Sequence, residues 1–248
     1  RHDLGRRRPR RMPDEYAQGS SYTYKGGEGS GFGRCTFSSG ATYEGEWSND
    51  LMHGKGRYVY PDGGFYEGEM INSLANGSGK FQWKNGDAHE GEWKNDSMCG
   101  RGRYTYANGD VYEGDFADDV ANGSGKFQWR NGDIYEGGWK EGKRHGEGSM
   151  FFACASAEYP VKAGEIYEGS WQKGKWHGQG KLFMADGSPR EGTWVRNAFQ
   201  RGVCKTYFDN GDVYDGGAVK EAMHGRGTYT HASGDEYIGE FADSMAHG

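Results

Sequence analysis

Large and polar positions alternate in short runs along most of the chain, and the runs come in pairs. Residues 43–65 read YEGEWSNDLMHGKGRYVYPDGGF. Tyr43, Gly45 and Trp47 share one side of a period-2 pattern, and Glu44 and Glu46 share the other. Gly54, Gly56, Tyr58 and Tyr60 then fall on one side, with Lys55, Arg57 and Val59 opposite. Alternation of this kind predicts strands. The polar segment 48–53 reads as the loop between them. Asn85-Gly86, Asn108-Gly109, Asn131-Gly132, Asp186-Gly187 and Asn210-Gly211 stand between successive pairs. Such dipeptides are strong hairpin-turn signals because they accept positive φ. Each pair is therefore a hairpin, and tight turns join hairpin to hairpin. The fold class is all-β: an elongated, curved, single-layer antiparallel β-meander, with strand twist supplying the curl.

The unit repeats. Tyr-Glu-Gly begins at Tyr43, Tyr66, Tyr112, Tyr135 and Tyr167; His89 and Arg190 take the tyrosine's place in two units, and Tyr214-Asp215-Gly216 and Tyr237-Ile238-Gly239 continue the series. From Tyr43 to Tyr135 every step is 23 residues. The next is longer because of an insertion at 153–164, and the step from Arg190 to Tyr214 reads as carrying one extra residue near Phe199. The chain thus divides into an Arg-rich extension (1–19), a degenerate first repeat (20–42) and an array (43–248) of eight full units plus the start of a ninth. The string ANGSGKFQW, at 75–83 and again at 121–129, is the same stretch of two units, separated by two periods.

A symmetric 48–53 loop sets Trp47 opposite Gly54, Gly45 opposite Gly56 and Tyr43 opposite Tyr58. On the other face Glu46 meets Lys55, Glu44 meets Arg57, Glu67 meets Lys80, Glu90 meets Arg103, Glu113 meets Lys126 and Glu168 meets Lys181. Opposite charges pair and large faces small. Glycine normally weakens a strand interior. Its recurrence at fixed offsets implies flat backbone on which rings lie down.

Composition agrees with an unusual core. Hydrophobic residues are only 33%, yet aromatics reach 15% and there are 46 glycines; mean hydropathy is −1.01. Aliphatic residues are too few for an ordinary core, and the aromatics argue against disorder. Net charge is −6, which gives no case for nucleic acid. Cys35, Cys99, Cys154 and Cys204 form no C-x-x-C pair and read as reduced thiols in a cytosolic-type protein. There is no apolar run of membrane-spanning length. A chain that begins at Arg1 and stops at Gly248 partway through a unit reads as a piece of a longer protein.

The string YEGEW-x6-HGKGxYxYxxG resembles the MORN repeat (membrane occupation and recognition nexus). Residues 43–60, 89–106, 112–129 and 167–181 carry the resemblance best, and it extends over about 20–248. Met70, Arg190, Thr206 and Ala218 depart from the expected aromatics. The resemblance implies a binding or scaffolding module and no catalysis. MORN arrays occur in ciliary radial-spoke proteins, protist cytoskeletal scaffolds, junctional membrane proteins, myosin partners, plant phosphoinositide kinases and a lysine methyltransferase. The expectation is a scaffold or adaptor in a cytoplasmic, cytoskeletal assembly, in first place a ciliary axonemal one such as the radial spoke. The rivals are a phospholipid-associated tethering module and the regulatory array of an enzyme whose catalytic domain lies outside this chain.

Candidate sites follow. The aromatic face, Tyr43, Trp47, Tyr58, Tyr60, Trp83, Trp93, Tyr104, Tyr106, Trp129, Tyr135, Trp139, Tyr167 and Trp171, is expected to form an exposed trough for a helix or extended peptide of a protein partner. Some of these rings must pack on neighbours. Arg6, Arg7, Arg8, Arg10 and Arg11 form a basic tail suited to an acidic surface, with anionic lipid as a weak partner. The insertion reads as a hinge or a separate contact. His53, His145, His177, His224 and His247 recur at one offset, but successive repeats set them about 10 Å apart, while metal ligands sit about 2 Å from one ion. No catalytic arrangement, cofactor or metal site is expected.

Overall fold

The computed structural model describes residues 21–25 and 29–247. The chain forms two compact units that divide after Arg130. Unit 1 holds β1 (Ser21–Lys25), β2 (Gly31–Thr36), β3 (Thr42–Ser48), β4 (Leu51–Val59), β5 (Phe65–Ile71), β6 (Leu74–Gln82), β7 (Ala88–Lys94), β8 (Ser97–Thr105), β9 (Val111–Ala117) and β10 (Val120–Gln128). Unit 2 holds β11 (Ile134–Lys140), β12 (Lys143–Phe151), β13 (Ile166–Gln172), β14 (Lys175–Phe183), β15 (Pro189–Val195), β16 (Ala198–Tyr207), β17 (Val213–Val219), β18 (Ala222–Thr230), β19 (Glu236–Ala242) and β20 (Met245–His247). Within each unit every strand pairs antiparallel with the next. Each unit is a single-layer antiparallel meander of hairpins, as the alternation predicts.

The hairpin differs from the sequence expectation in one respect. Segment 48–53 is not a loop. Strands β3 and β4 run to a two-residue turn at Asn49-Asp50, whose φ values are 48° and 60°. Two successive positive φ angles give the type I′ turn whose twist matches the flanking strands. Trp47 therefore faces Met52, and a bulge lies between this pair and Gly45↔Gly56. Gly54, at φ 59°, sits in the bulge and faces Met70 of the next hairpin. Tyr43↔Tyr58 and Glu44↔Arg57 stand as expected. Beyond the bulge, the Glu46 carboxylate accepts the Lys55 backbone N–H at 3.1 Å rather than pairing with its ammonium. Ser124 N–H donates in the same way to Asp115 at 2.8 Å.

The Asn-Gly connections are turns of another kind. Trp83 N–H donates to the Asp87 carbonyl and Gly86 N–H to the Trp83 carbonyl, at 2.9 and 3.0 Å. Gly86 carries the positive φ, 93°, and Asn85 does not. This is a three-residue loop closed by a left-handed glycine.

A single layer builds its core from rings laid on backbone. Tyr43 lies along its own strand and donates its hydroxyl to the Glu46 carbonyl at 2.8 Å. A Cβ placed on Gly56 would fall inside that ring. Tyr66, Tyr112, Tyr135, Tyr167 and Tyr214 repeat the bond with the carbonyl three residues on. All six tyrosines are fully buried. Burial pushes the phenols of Tyr43, Tyr66, Tyr135 and Tyr167 well above their ordinary range.

The opposite face is charged and exposed. In unit 1, Arg34, Glu44, Arg57, Glu67, Lys80, Glu90, Arg103, Glu113 and Lys126 stand opposite one another in register, alternating in sign. The expected in-hairpin pairs Glu44–Arg57, Glu67–Lys80, Glu90–Arg103, Glu113–Lys126 and Glu168–Lys181 stand in register, while Glu46–Lys55 is lost to the bulge. The side chains, however, close across hairpins: Arg57 on Glu67 at 2.8 Å and Arg103 on Glu113 at 2.7 Å. In unit 2, Lys181 turns to Glu191 at 3.4 Å. These exposed pairs contribute roughly 0–1 kcal/mol each. Their larger effect is on register, since a one-residue slip would put carboxylates among the rings.

Turn residues bind each hairpin to its predecessor. Ser73 N–H donates to the Met52 carbonyl at 2.8 Å and its Oγ accepts the Met52 N–H at 3.2 Å. Asp96 and Asp119 do the same for Ala75 and Met98, and in unit 2 Asn197 does so for Trp176. At the other end, the Asp of Asn-Gly-Asp reaches the next turn. Asp87 accepts the Ala107 N–H at 2.9 Å and the Tyr104 hydroxyl at 3.2 Å. Asp110 accepts from Arg130; in unit 2, Asp133 accepts from Ala153 and Asp212 from Ala232 and Tyr229.

The long step after Arg190 arises differently from the expected single extra residue near Phe199. Between Trp194↔Phe199 and Thr193↔Arg201 only Gln200 is left over, so the bulge is one residue shorter than in β4. Beyond Gly202 the strand is two residues longer: Cys204 faces Gly216 and Thr206 faces Tyr214, the places Gly56 and Tyr58 take opposite Gly68 and Tyr66. A two-residue slide keeps every side chain on its face.

Candidate partner-binding face

The thirteen rings expected to line a trough do share the glycine-bearing face, but most of them are core. Tyr43, Trp47, Tyr58, Tyr60, Trp93, Tyr104, Tyr135, Trp139, Tyr167 and Trp171 are buried. Packing on neighbours, expected for part of the stripe, takes the larger part of it: tyrosines such as Tyr43 lie on glycine backbone, and the rings cover one another. Tyr43 meets Trp47 edge-on at 5.0 Å, and Tyr66 meets Trp93 at 5.5 Å. Trp83, Tyr106 and Trp129 are half-buried.

Those three occupy one position, the residue that opens each Asn-Gly turn. They belong to a continuous ladder of rings in unit 1. Tyr60 meets Phe81 at 5.5 Å, Phe81 meets Trp83 at 4.5 Å, and Trp83 meets Tyr104 at 5.4 Å. Tyr104 meets Tyr106 at 4.7 Å, Tyr106 meets Phe127 at 5.9 Å, and Phe127 meets Trp129 at 4.4 Å. The inner rings are buried and hold the outer ones in place, leaving a fixed row of partly open aromatics. Exposed Lys84 and Arg130 follow the two tryptophans directly in sequence.

In unit 2 the equivalent residues are Phe152, Met184, Phe208 and His231; Phe152 N–H bonds the Glu165 carbonyl just as Tyr60 bonds Gly64. Phe152 is fully buried because the insertion folds onto it. Tyr159 packs against Phe152 at 5.4 Å and Trp176 at 5.2 Å and donates its hydroxyl to the Gly174 carbonyl at 2.7 Å. Arg144 donates to the Tyr159 oxygen at 2.6 Å and lies 5.0 Å from the Trp171 ring centre. Val161 is buried too, and Asn197 holds the Glu158 carbonyl at 3.3 Å. The insertion, expected as a hinge or contact point, is a cover over the ring face of its own unit. The signal missed in the sequence is Arg144, the one charged residue at a position held elsewhere by Met52, Ala75, Met98 or Ala121.

His89 takes the tyrosine place in its repeat. It is fully buried between Trp93 at 5.1 Å and Phe116 at 4.7 Å, and neither ring nitrogen has a hydrogen-bond partner. Burial lowers its pKa to about 4. Among the described residues, His53 is half-buried at the bulge and converges with no other metal-ligating groups. Arg6, Arg7, Arg8, Arg10 and Arg11 lie outside the described residues.

Comparison with known proteins adds one strong match. The family model described as "MORN repeat" matches residues 23–42, 43–65, 66–88, 89–111, 112–134, 135–153, 167–188 and 222–236, more than half the chain. The segment it passes over between 188 and 222 contains the displaced β16. A search of curated proteins finds no match. Among solved structures, the SAS-4 (dCPAP) TCP domain of Drosophila melanogaster in complex with a proline-rich motif of Ana2 (dSTIL) is similar at 14% identity, with TM-score 0.33, over 76% of this chain and 85% of that one. Selenomethionine-substituted virginiamycin B lyase from Staphylococcus aureus is similar at 11% identity, with TM-score 0.18, over 90% of this chain and 74% of that one. At such TM-scores neither likeness bears on function.

Proposed function

The chain belongs to the MORN-repeat family, and we propose on that footing that it is a non-catalytic scaffold that captures protein partners on the ring face of unit 1. The observation that carries this reading is the half-buried row of Trp83, Tyr106 and Trp129 on a rigid ladder of buried rings. Rigid aromatics with one open side supply contact area at little entropic cost, which is why they recur at the centres of interfaces. On the opposite face Arg57–Glu67, Arg101–Asp115 and Arg103–Glu113 are already ion-paired within the chain, and such exposed charges contribute little each.

The assembly proposed is cytoskeletal and cytoplasmic, with a ciliary axonemal complex such as the radial spoke as the first place to look; family resemblance alone supports that placement. Changing Trp83 and Trp129 to Ala is expected to weaken capture of a defined partner at least tenfold, and changing Glu44 and Glu113 to Ala much less. The reverse order in a pull-down would overturn the reading. Sedimentation with phosphatidylserine vesicles tests the membrane alternative: strong binding by the array alone would favour tethering over scaffolding.

A further inference from the structure

Unit 2 shows in its own chain what an occupant of the ring face looks like. The covering segment is short and bent, folded about its proline by a Val161 N–H to Tyr159 carbonyl bond at 2.9 Å, and its centre reads Glu158-Tyr159-Pro160-Val161. Ser156 Oγ accepts the N–H groups of Glu158 and Tyr159, both at 3.2 Å, which fixes the approach. The tyrosine ring then lies on the aromatic that opens the repeat's turn, its hydroxyl finds a turn carbonyl, and the aliphatic residue after the proline is buried. Proline limits the entropy lost on docking, because its φ is already fixed.

Unit 1 holds the same aromatic position at Phe37, Tyr60, Trp83, Tyr106 and Trp129; the first two are buried by their neighbours, and the last three, in succession, are half-buried where Phe152 is covered completely. The flanking charge fits the same occupant. Lys84 and Arg130 are exposed next to Trp83 and Trp129, while the covering segment carries Glu158 directly before its tyrosine.

We propose that the Trp83–Tyr106–Trp129 row of unit 1 binds a short, acidic Tyr-Pro-aliphatic segment of a partner protein, bent about its proline in the manner that the chain's own insertion covers Phe152. This rests on the scaffold reading above and gives it a ligand chemistry. The occupant is a protein segment with an acidic residue before the tyrosine and a small aliphatic residue after the proline. Lipid, basic peptides and peptides without the tyrosine do not meet these requirements.

The test uses the full chain and a capped synthetic peptide, Ser-Ala-Glu-Tyr-Pro-Val-Lys, followed by tryptophan fluorescence and by NMR. The expected result is saturable binding at micromolar to sub-millimolar peptide. It weakens at least tenfold when the peptide tyrosine is replaced by Ala, and at least threefold when its Glu is replaced by Lys. Trp83→Ala with Trp129→Ala in the protein abolishes it. Because that double change removes packed rings, Lys84→Glu with Arg130→Glu is run beside it; these side chains are exposed, and the charge reversal is expected to weaken binding while leaving the melting temperature within a few degrees. Equal binding of the native and tyrosine-less peptides would overturn the proposal, and so would unchanged binding in both protein variants. Should the peptide fail while partner capture still depends on Trp83 and Trp129, this ligand chemistry is wrong and the scaffold reading stands. Should capture also ignore those tryptophans, both fall.

Discussion

His89 stands where most of the repeats keep a tyrosine that bonds its own strand, and its ring is too short to make the bond. The folded state holds it neutral, with a pKa near 4 against an ordinary value of 6.5. The unfolded chain therefore takes up a proton that the folded chain refuses as pH falls below 6.5, and stability is lost progressively down to pH 4. The loss reaches about 3 kcal/mol at the lower end. His89→Tyr is expected to remove that slope and to add a hydroxyl bond to the Glu92 carbonyl, as Tyr66 bonds Glu69. Urea denaturation of both proteins from pH 7 to pH 4 measures it; parallel pH slopes would refute the account. The glycines act at the same scale. A Cβ on Gly79 would meet the Tyr66 hydroxyl and ring, so Gly79→Ala is expected to cost about 1–3 kcal/mol by overpacking. At Gly63, whose position has open space, the only penalty is its positive φ of 92°. Comparing the two substitutions by thermal melting separates ring contact from backbone strain.

At the scale of the hairpin, the sequence showed the strands, their faces and most of their register, because alternation is a local property that each residue expresses through its own side chain. It missed the bulge. A symmetric six-residue loop and a two-residue turn with a bulge use the same residues, and the choice depends on whether Asn49 and Asp50 both enter the left-handed region. Asparagine and aspartate tolerate that region, but nothing local requires it. The aspartate of Asn-Gly-Asp is an element-scale device of the same kind. Its role appears only when the next turn is in place to donate to it. Asp87→Ala is expected to orphan the Ala107 N–H and the Tyr104 hydroxyl together and to cost about 2 kcal/mol. Asp62, which holds the Gly64 N–H of its own turn at 3.1 Å, provides a comparison for the loss of a bond within a single turn. Melting curves of Asp87→Ala and Asp62→Ala test the ranking, and a larger loss for Asp62 would refute the role assigned to Asp87.

At the scale of the whole molecule, the two units apply one ring pattern differently. Unit 1 keeps an uninterrupted ladder and leaves Trp83, Tyr106 and Trp129 half open; unit 2 closes its ring face at Phe152 with Tyr159 and Val161. Tyr159→Ala is expected to cost about 3–5 kcal/mol, since it also strips Arg144 of its 2.6 Å partner. It should shift tryptophan emission to the red as Trp171 and Trp176 become wet; an unshifted spectrum would mean that the insertion covers nothing essential. The sequence by itself determined the repeat, the all-β meander, the ring face, the charged face and the family, because all of these follow from side-chain period and glycine spacing. Only the tertiary structure decided which rings are core and which are open. Burial in a single layer depends on what the neighbouring hairpin, or an insertion from elsewhere in the chain, lays across each ring. The sequence carries the same tyrosine or tryptophan in either case.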